Sequence, residues 1–286
     1  MIINMKRHIL LILSTFAITF LFSKCDDNYF ADSRSSIIVE GWIEDGEFPV
    51  VFLTKSLPVS KKETPIDDLS AYLIKWAVVT ISDGIDTVVL TGKYDKNYFP
   101  PYVYTTGRMR GKSGRTYSLK VSYEDYLAEA ETTIPSKPLF DSLYSTPIQG
   151  SDSARSVTAS FRHTAPAGRY YQLFVRDNKY TQQYLTSYLG CLGPDIIEEN
   201  NEVPVHSPSR YDTEDYITDF RLGDTIFVKL AHLDSLSHSF WNIYEKKKEL
   251  GSNMIFPYDN NLPSNIRGGL GYWFGYGTEV RRLIIK

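Results

Sequence analysis

The thiol of Cys25 stands in a setting that points to a defined covalent reaction. Lys6 and Arg7 lie near the start of the chain, and an apolar run follows from Ile9 to Phe22, interrupted only by Ser14, Thr15 and Thr19. It ends at Ser23, Lys24 and Cys25, and Asp26 and Asp27 come next. A basic opening, a short apolar core and a cysteine where cleavage would fall form the layout of a lipoprotein signal peptide, whose cysteine is acylated. As a helix the apolar run would reach only about 21 Å, short of a bilayer core of about 30 Å. The expectation is therefore an export signal over residues 1–24 and a lipid anchor on Cys25. No A-x-A-like site precedes the cysteine, although Lys24 stands where a small residue is usual.

Other residue patterns invite chemistry and fail on spacing. Gly107 to Ser113 is one residue short of a phosphate-binding loop. It also leads toward the strand-like run at Tyr117, where a phosphate cradle needs a helix N-terminus. The glycines at 268, 269, 271 and 275 do not have dinucleotide-binding spacing. Glycines among aromatics in a terminal strand mark bulges or close packing. Tyr272, Trp273 and Tyr276, beside those glycines, are candidates for stacking on a ligand. His232 and His238 are not at metal-ligand spacing. Asp212, Glu214, Asp215 and Asp219 lack the spacing of a calcium loop and read as a solvated acidic stretch. No serine sits in a nucleophile elbow. No catalytic residue, metal site or cofactor is expected, so the chain reads as a non-enzyme.

Cleavage before Cys25 would remove Lys6, Arg7 and Lys24, taking the 31 basic residues to 28 against 34 acidic, a mature charge near −6. That offers no basic footprint for nucleic acid. Contact with the membrane would come from acyl chains, each buried CH₂ contributing about 0.8 kcal/mol. The second of the two cysteines, Cys191, would have no partner, so the fold must rely on its core and not on disulfides. Its setting, Gly190 to Pro194, is turn chemistry, which suits a structural cysteine better than a nucleophile. The 21 tyrosines reflect strand propensity and also suit recognition.

The elements that would carry these residues read mainly as β. Residues 25–35 are a polar, acidic tether. Strand signals follow at Ile37–Ile43, Pro49–Leu53, Trp76–Ile81 and Thr87–Leu90, with Asp83-Gly84 as a hairpin turn. Tyr117, Leu119, Val121 and Tyr123 alternate with polar residues, and Tyr126, Ala128 and Ala130 do so on the return. Pro135 and Pro138 suggest a boundary. The expected fold is two β-sandwich-like domains, immunoglobulin-like or transthyretin-like, at 36–135 and 139–286. The second holds strands near Val157–Phe161, Tyr170–Val175 and Asp224–Leu230. It also holds a long loop insertion from Thr186 to Phe220 and a helix at about 234–250. That helix would be capped by Asp234 or Ser235, with Leu236, Phe240, Ile243 and Tyr244 on its packed face.

Three stretches also carry a family resemblance. They are Ile38 to Ile43 with Pro49 to Thr54; Gly114 to Leu119 closing at Thr133-Ile134-Pro135; and Phe240-Trp241 through Tyr244 with Asn265 to Gly271. In that order the chain resembles a family of lipoproteins from Bacteroidota, domain of unknown function 4249. The resemblance implies an outer-membrane lipoprotein, encoded in many cases beside a TonB-dependent transporter. It also makes Asp26 and Asp27 resemble a surface-export signal that would turn the protein to the cell exterior. The expected role is a non-catalytic binding accessory to such a transporter. The alternative is a structural or adhesive module of the envelope without a small-molecule ligand.

Overall fold

The computed structural model describes residues 36–56, 70–162, 170–179, 182–194, 202–207, 219–250 and 262–286. Residues 1–24, the tether with Cys25, Asp26 and Asp27, and Asp212, Glu214 and Asp215 lie outside them. Residues Ile37–Lys286 form one compact unit.

The unit is mainly β and sandwich-like. Its first half holds β1 (Ile37–Glu44), β2 (Val50–Lys55), β3 (Val78–Ser82), β4 (Thr87–Val89), β5 (Thr91–Tyr94), β6 (Tyr102–Thr105), β7 (Thr116–Tyr123) and β8 (Tyr126–Thr133). The second half holds β9 (Leu139–Pro147), β10 (Ala154–Arg162), β11 (Tyr171–Asp177), β12 (Leu185–Leu192), β13 (Glu202–Val205), β14 (Phe220–Arg221) and β15 (Thr225–His232). Helix α1 (Ser235–Leu250) and the long strand β16 (Leu270–Ile284) complete it.

An eight-stranded sheet runs β12-β11-β15-β16-β1-β2-β6-β5. Against one part of it packs the sheet β4-β3-β7-β8, and against the other the sheet built on β9, β10, β13 and β14. Two cores result. The first gathers Val39, Ile43, Val51, Val79, Ile81, Tyr117, Leu119 and Val121. The second gathers Phe140, Val157, Phe161, Leu173, Val175, Val228 and Leu230. The alternation in β7 and β8 puts Tyr117, Leu119, Val121, Ala128 and Ala130 inward, because a strand sends successive side chains to opposite faces. Asp83 closes the β3–β4 turn, its Oδ1 accepting from the amides of Ile85 at 3.0 Å and Asp86 at 2.8 Å.

The chain does not divide at Pro135 and Pro138 into two separate folds. Residues 270–276 of β16 pair in parallel with β1, and residues 277–284 pair antiparallel with β15. One strand thus serves both cores. Trp273 belongs to the first core although it lies far along the sequence, and its Nε1 donates to the Tyr117 carbonyl at 3.0 Å. The Pro135–Ser136 backbone crosses β16 directly. A Cβ on Gly277 would meet the Ser136 carbonyl oxygen at 2.6 Å, so the crossing requires glycine there. Gly271 has φ +106 and lies against the Val39 backbone, which again excludes a side chain.

The expected loop from Thr186 to Phe220 is in part strand: β12 and β13 occupy described portions of it, and β14 begins at its end. In β12 the inward residues are Ser187, Gly190 and Leu192, and the register shifts opposite Gln172–Phe174. Small and polar inward residues together with a shift of register erase the apolar alternation. In β13, Val203 and Val205 are buried and Pro204 sits on an edge strand, where a missing N–H is tolerated. Asp234 caps α1, its Oδ1 accepting from the Ser237 amide at 2.7 Å. The packed face of α1 is Ser237, Phe240 and Trp241, while Leu236 is exposed.

Substituting Gly277 with alanine is expected to lower stability by about 1–3 kcal/mol, since the added methyl must displace backbone. Urea unfolding followed by tryptophan fluorescence and by far-UV circular dichroism checks this. The two signals should shift together, because β16 belongs to both cores.

Candidate functional site

The alternation in the shared sheet that builds the two cores leaves a second set of side chains on its other face. From β1 come Trp42 and Glu44, from β2 Val50 and Phe52, and from β6 Val103. From β11 come Gln172, Phe174 and Arg176, from β15 Phe227 and Lys229, and from β16 Tyr272, Phe274 and Tyr276. A free sheet face in an antiparallel sandwich is usually polar; this one is largely aromatic. Helix α1 covers part of it. Phe240 lies 4.7 Å from Tyr272 and 5.5 Å from Phe274, ring to ring. Trp241 Nε1 donates to the Tyr276 hydroxyl at 3.1 Å.

Beside the covered part lies a cleft of about 1490 Å³. Tyr272, Tyr276 and Phe174 contribute to its floor, and half-buried Trp42, Tyr98, Tyr184 and Trp241 stand around it with the more exposed Phe99 and Tyr244. Two charged features are built into it. Lys229 Nζ lies 2.7 and 2.8 Å from the carboxylate oxygens of Glu44, with both side chains largely out of water. The Tyr184 ring lies 4.2 Å from the same ammonium. This ion pair links β1 to β15 past the middle of β16. The second feature is Arg176, whose guanidinium sits 4.2 Å from the Phe227 ring and 5.0 Å from the Tyr184 ring.

The three aromatic candidates separate by face. Trp273 points into the first core, is fully buried and has no route to a ligand. Tyr272 and Tyr276 point to the other face, where burial drives both hydroxyls well above the ordinary tyrosine range and keeps them neutral. They contribute to the floor of the cleft and not to its accessible rim. The residues that form the rim were not singled out from sequence. Trp42 lies in an alternating strand, and Tyr98 and Tyr184 lie in short connections, so only the fold brings them together.

The remaining motifs resolve as structure. Gly107 to Ser113 leads directly into β7, and the Ser113 amide donates to Asp45 at 2.5 Å. His232 Nδ1 is 2.8 Å from the Ser136 carbonyl oxygen, and the His238 ring stacks on Tyr170 at 4.6 Å. Among the described residues no group of three or more metal-ligating side chains gathers. Cys191 Sγ donates to the His238 carbonyl at 3.7 Å, and burial pushes its thiol up to about 12.

A family model described as Domain of unknown function (DUF4249) matches residues 26–282. The chain belongs to this family. The match takes in nearly all of both cores and of β16, so the DUF4249 region covers nearly the whole compact unit and not one of its halves. No curated protein matches the chain.

Replacing Lys229 with methionine strands Glu44 in the sheet face and is expected to cost about 3–5 kcal/mol. Adding Glu44→Gln should restore much of the loss, and thermal melts of the single and double variants measure the coupling. Iodoacetamide should alkylate Cys191 in the folded protein about a thousandfold more slowly than a free cysteine at pH 8. Because the folded thiol titrates near 12 and not near its ordinary 9.0, the rate should still be climbing at pH 10. Mass spectrometry of timed aliquots reads both effects.

Proposed function

We propose that this DUF4249 chain is a lipid-anchored outer-membrane protein, turned to the cell exterior, that binds a nutrient for a TonB-dependent transporter. The observation that carries the binding role is the aromatic cleft of about 1490 Å³ on the shared sheet. Ligand sites are concave and mostly apolar, with a few placed polar groups, and they gain precision from rigid elements. Trp42, Arg176 and Lys229 all come from strands of the shared sheet. Leaving large rings around an open cleft costs hydrophobic stabilisation that closing it would recover.

The anchor is supported by the signal layout before Cys25, and the outward orientation by Asp26 and Asp27. From Cys25 to Ile37 a fully extended chain reaches at most about 40 Å. A ligand bound in the cleft would therefore stay close to a transporter in the same membrane. The tether also raises the effective concentration of one partner near the other.

Mass spectrometry of the purified protein should find Cys25 acylated at a new N-terminus. Cys25→Ala should move the protein from the membrane to the soluble fraction. Co-purification in native detergent should recover a TonB-dependent transporter. An unacylated Cys25 overturns the anchor, and failure to recover any transporter across growth conditions overturns the partnership.

A further inference from the structure

Among the described residues three cations line the cleft: Lys137, Lys229 and Arg176. Two are already committed. Lys229 holds Glu44 at 2.7 Å, and Lys137 holds Asp45 at 2.7 Å. Arg176 differs, because no carboxylate among the described residues pairs with it. Its contacts are the faces of Phe227 and Tyr184, which fix the plane of the guanidinium without neutralising it. Its Nε is out of water and has no acceptor. A buried donor left unpaired is costly, and such a group calls for an explanation.

The neighbouring carboxylates do not supply one. Asp95 is 3.5 Å from Lys93, and Glu279 is 2.7 Å from Arg281. Asp177 follows Arg176 in the same strand, and its Oδ1 accepts from the Lys179 amide at 2.9 Å. Glu47 also lines the cleft, but at its exposed margin. An arginine whose plane is held by rings is ready for a planar, two-oxygen acceptor, the geometry in which guanidinium bonds are strongest. Other rings lining the cleft, Trp42, Tyr98, Trp241 and Tyr244, offer flat apolar surface to the rest of such a ligand.

We propose that the cleft receives a small organic anion with a flat ring face, its oxyanion bound by Arg176 and its ring laid against the cleft aromatics. This inference rests on the cleft being the binding site and narrows what enters it. A carboxylate on a ring occurs both in acidic sugars and in aromatic acids, so the test carries both.

The full-length chain in detergent is titrated with a galacturonic acid trimer and with the neutral galactose trimer. In parallel it is titrated with 4-hydroxybenzoate and with 4-hydroxybenzamide. Tryptophan fluorescence and calorimetry read binding. At least one anion should bind about tenfold or more tightly than its neutral partner, and added salt should narrow the gap. Whichever pair shows the gap identifies the source of the ring. Arg176→Gln should abolish the preference while leaving the weaker neutral binding in place. Arg176→Lys keeps the charge and should retain part of the preference, which separates loss of the anion contact from loss of fold. Equal affinity for anion and neutral partner, or a preference that survives Arg176→Gln, overturns the proposal. If neutral ligands bind and Trp241→Ala removes them, the cleft remains the binding site and only the anion assignment falls. No binding of either anion at about 10 mM also overturns the assignment, while the transporter co-purification judges the wider function independently.

Discussion

Strand β16 hydrogen-bonds to two partners in succession, β1 along residues 270–276 and β15 along residues 277–284. The rest of the structure depends on this pairing. It joins the first strand of the compact unit to its last in a parallel arrangement, which no local hairpin could produce. It places Trp273 beneath the β4-β3-β7-β8 sheet and the following residues beside the second core. The close passage of the Pro135–Ser136 backbone explains why glycine stands at 277. Two hydrophobic cores, each of sandwich kind, therefore share one continuous backbone.

The same pairing creates the aromatic face of the shared sheet. A shared sheet covered by partner sheets on one side must leave its other side for something else. Helix α1 takes up part of it through Phe240 and Trp241. The remainder is the cleft, where the Lys229–Glu44 pair joins strands from the two halves of the sequence. A buried ion pair is not in itself evidence of stability, because desolvation offsets much of the attraction. Its position suits a fixed charge arrangement in a low-polarity face. Arg176 is stacked on rings in that arrangement, and among the described residues no carboxylate pairs with it.

Some of this was legible in the residues. β7 and β8 alternate cleanly, and their inward side chains are the expected ones. The Asp83-Gly84 turn, the Asp234 cap and the helix near 234–250 follow from local chemistry. β12 and β13 were not legible. One hides its period behind a shifted register with Ser187 and Gly190 inward, and the other carries Pro204 in an edge strand. Ile266 and Trp273, from beyond the expected boundary, lie in the first core, because proline residues mark a turn in the chain and do not show whether a distant strand will bridge it. Among the aromatic candidates, Tyr272 and Trp273 are neighbours of like composition. A period of two puts them on opposite faces, yet which face meets a core depends on what packs there.

What the sequence determined by itself was local: a β-rich chain, strand and helix signals over much of its length, and spacing that excludes the familiar phosphate and metal motifs. Those properties depend on residues a few positions apart, where backbone geometry and turn chemistry decide the outcome. Tertiary structure alone decided that β16 unites two cores and that Trp273 is sealed in one of them. It also decided that Trp42, Tyr98, Arg176, Tyr184 and Trp241 surround one cleft. These residues are separated by long stretches of chain, and their meeting is set by pairing and packing across the whole fold, which local pattern does not encode.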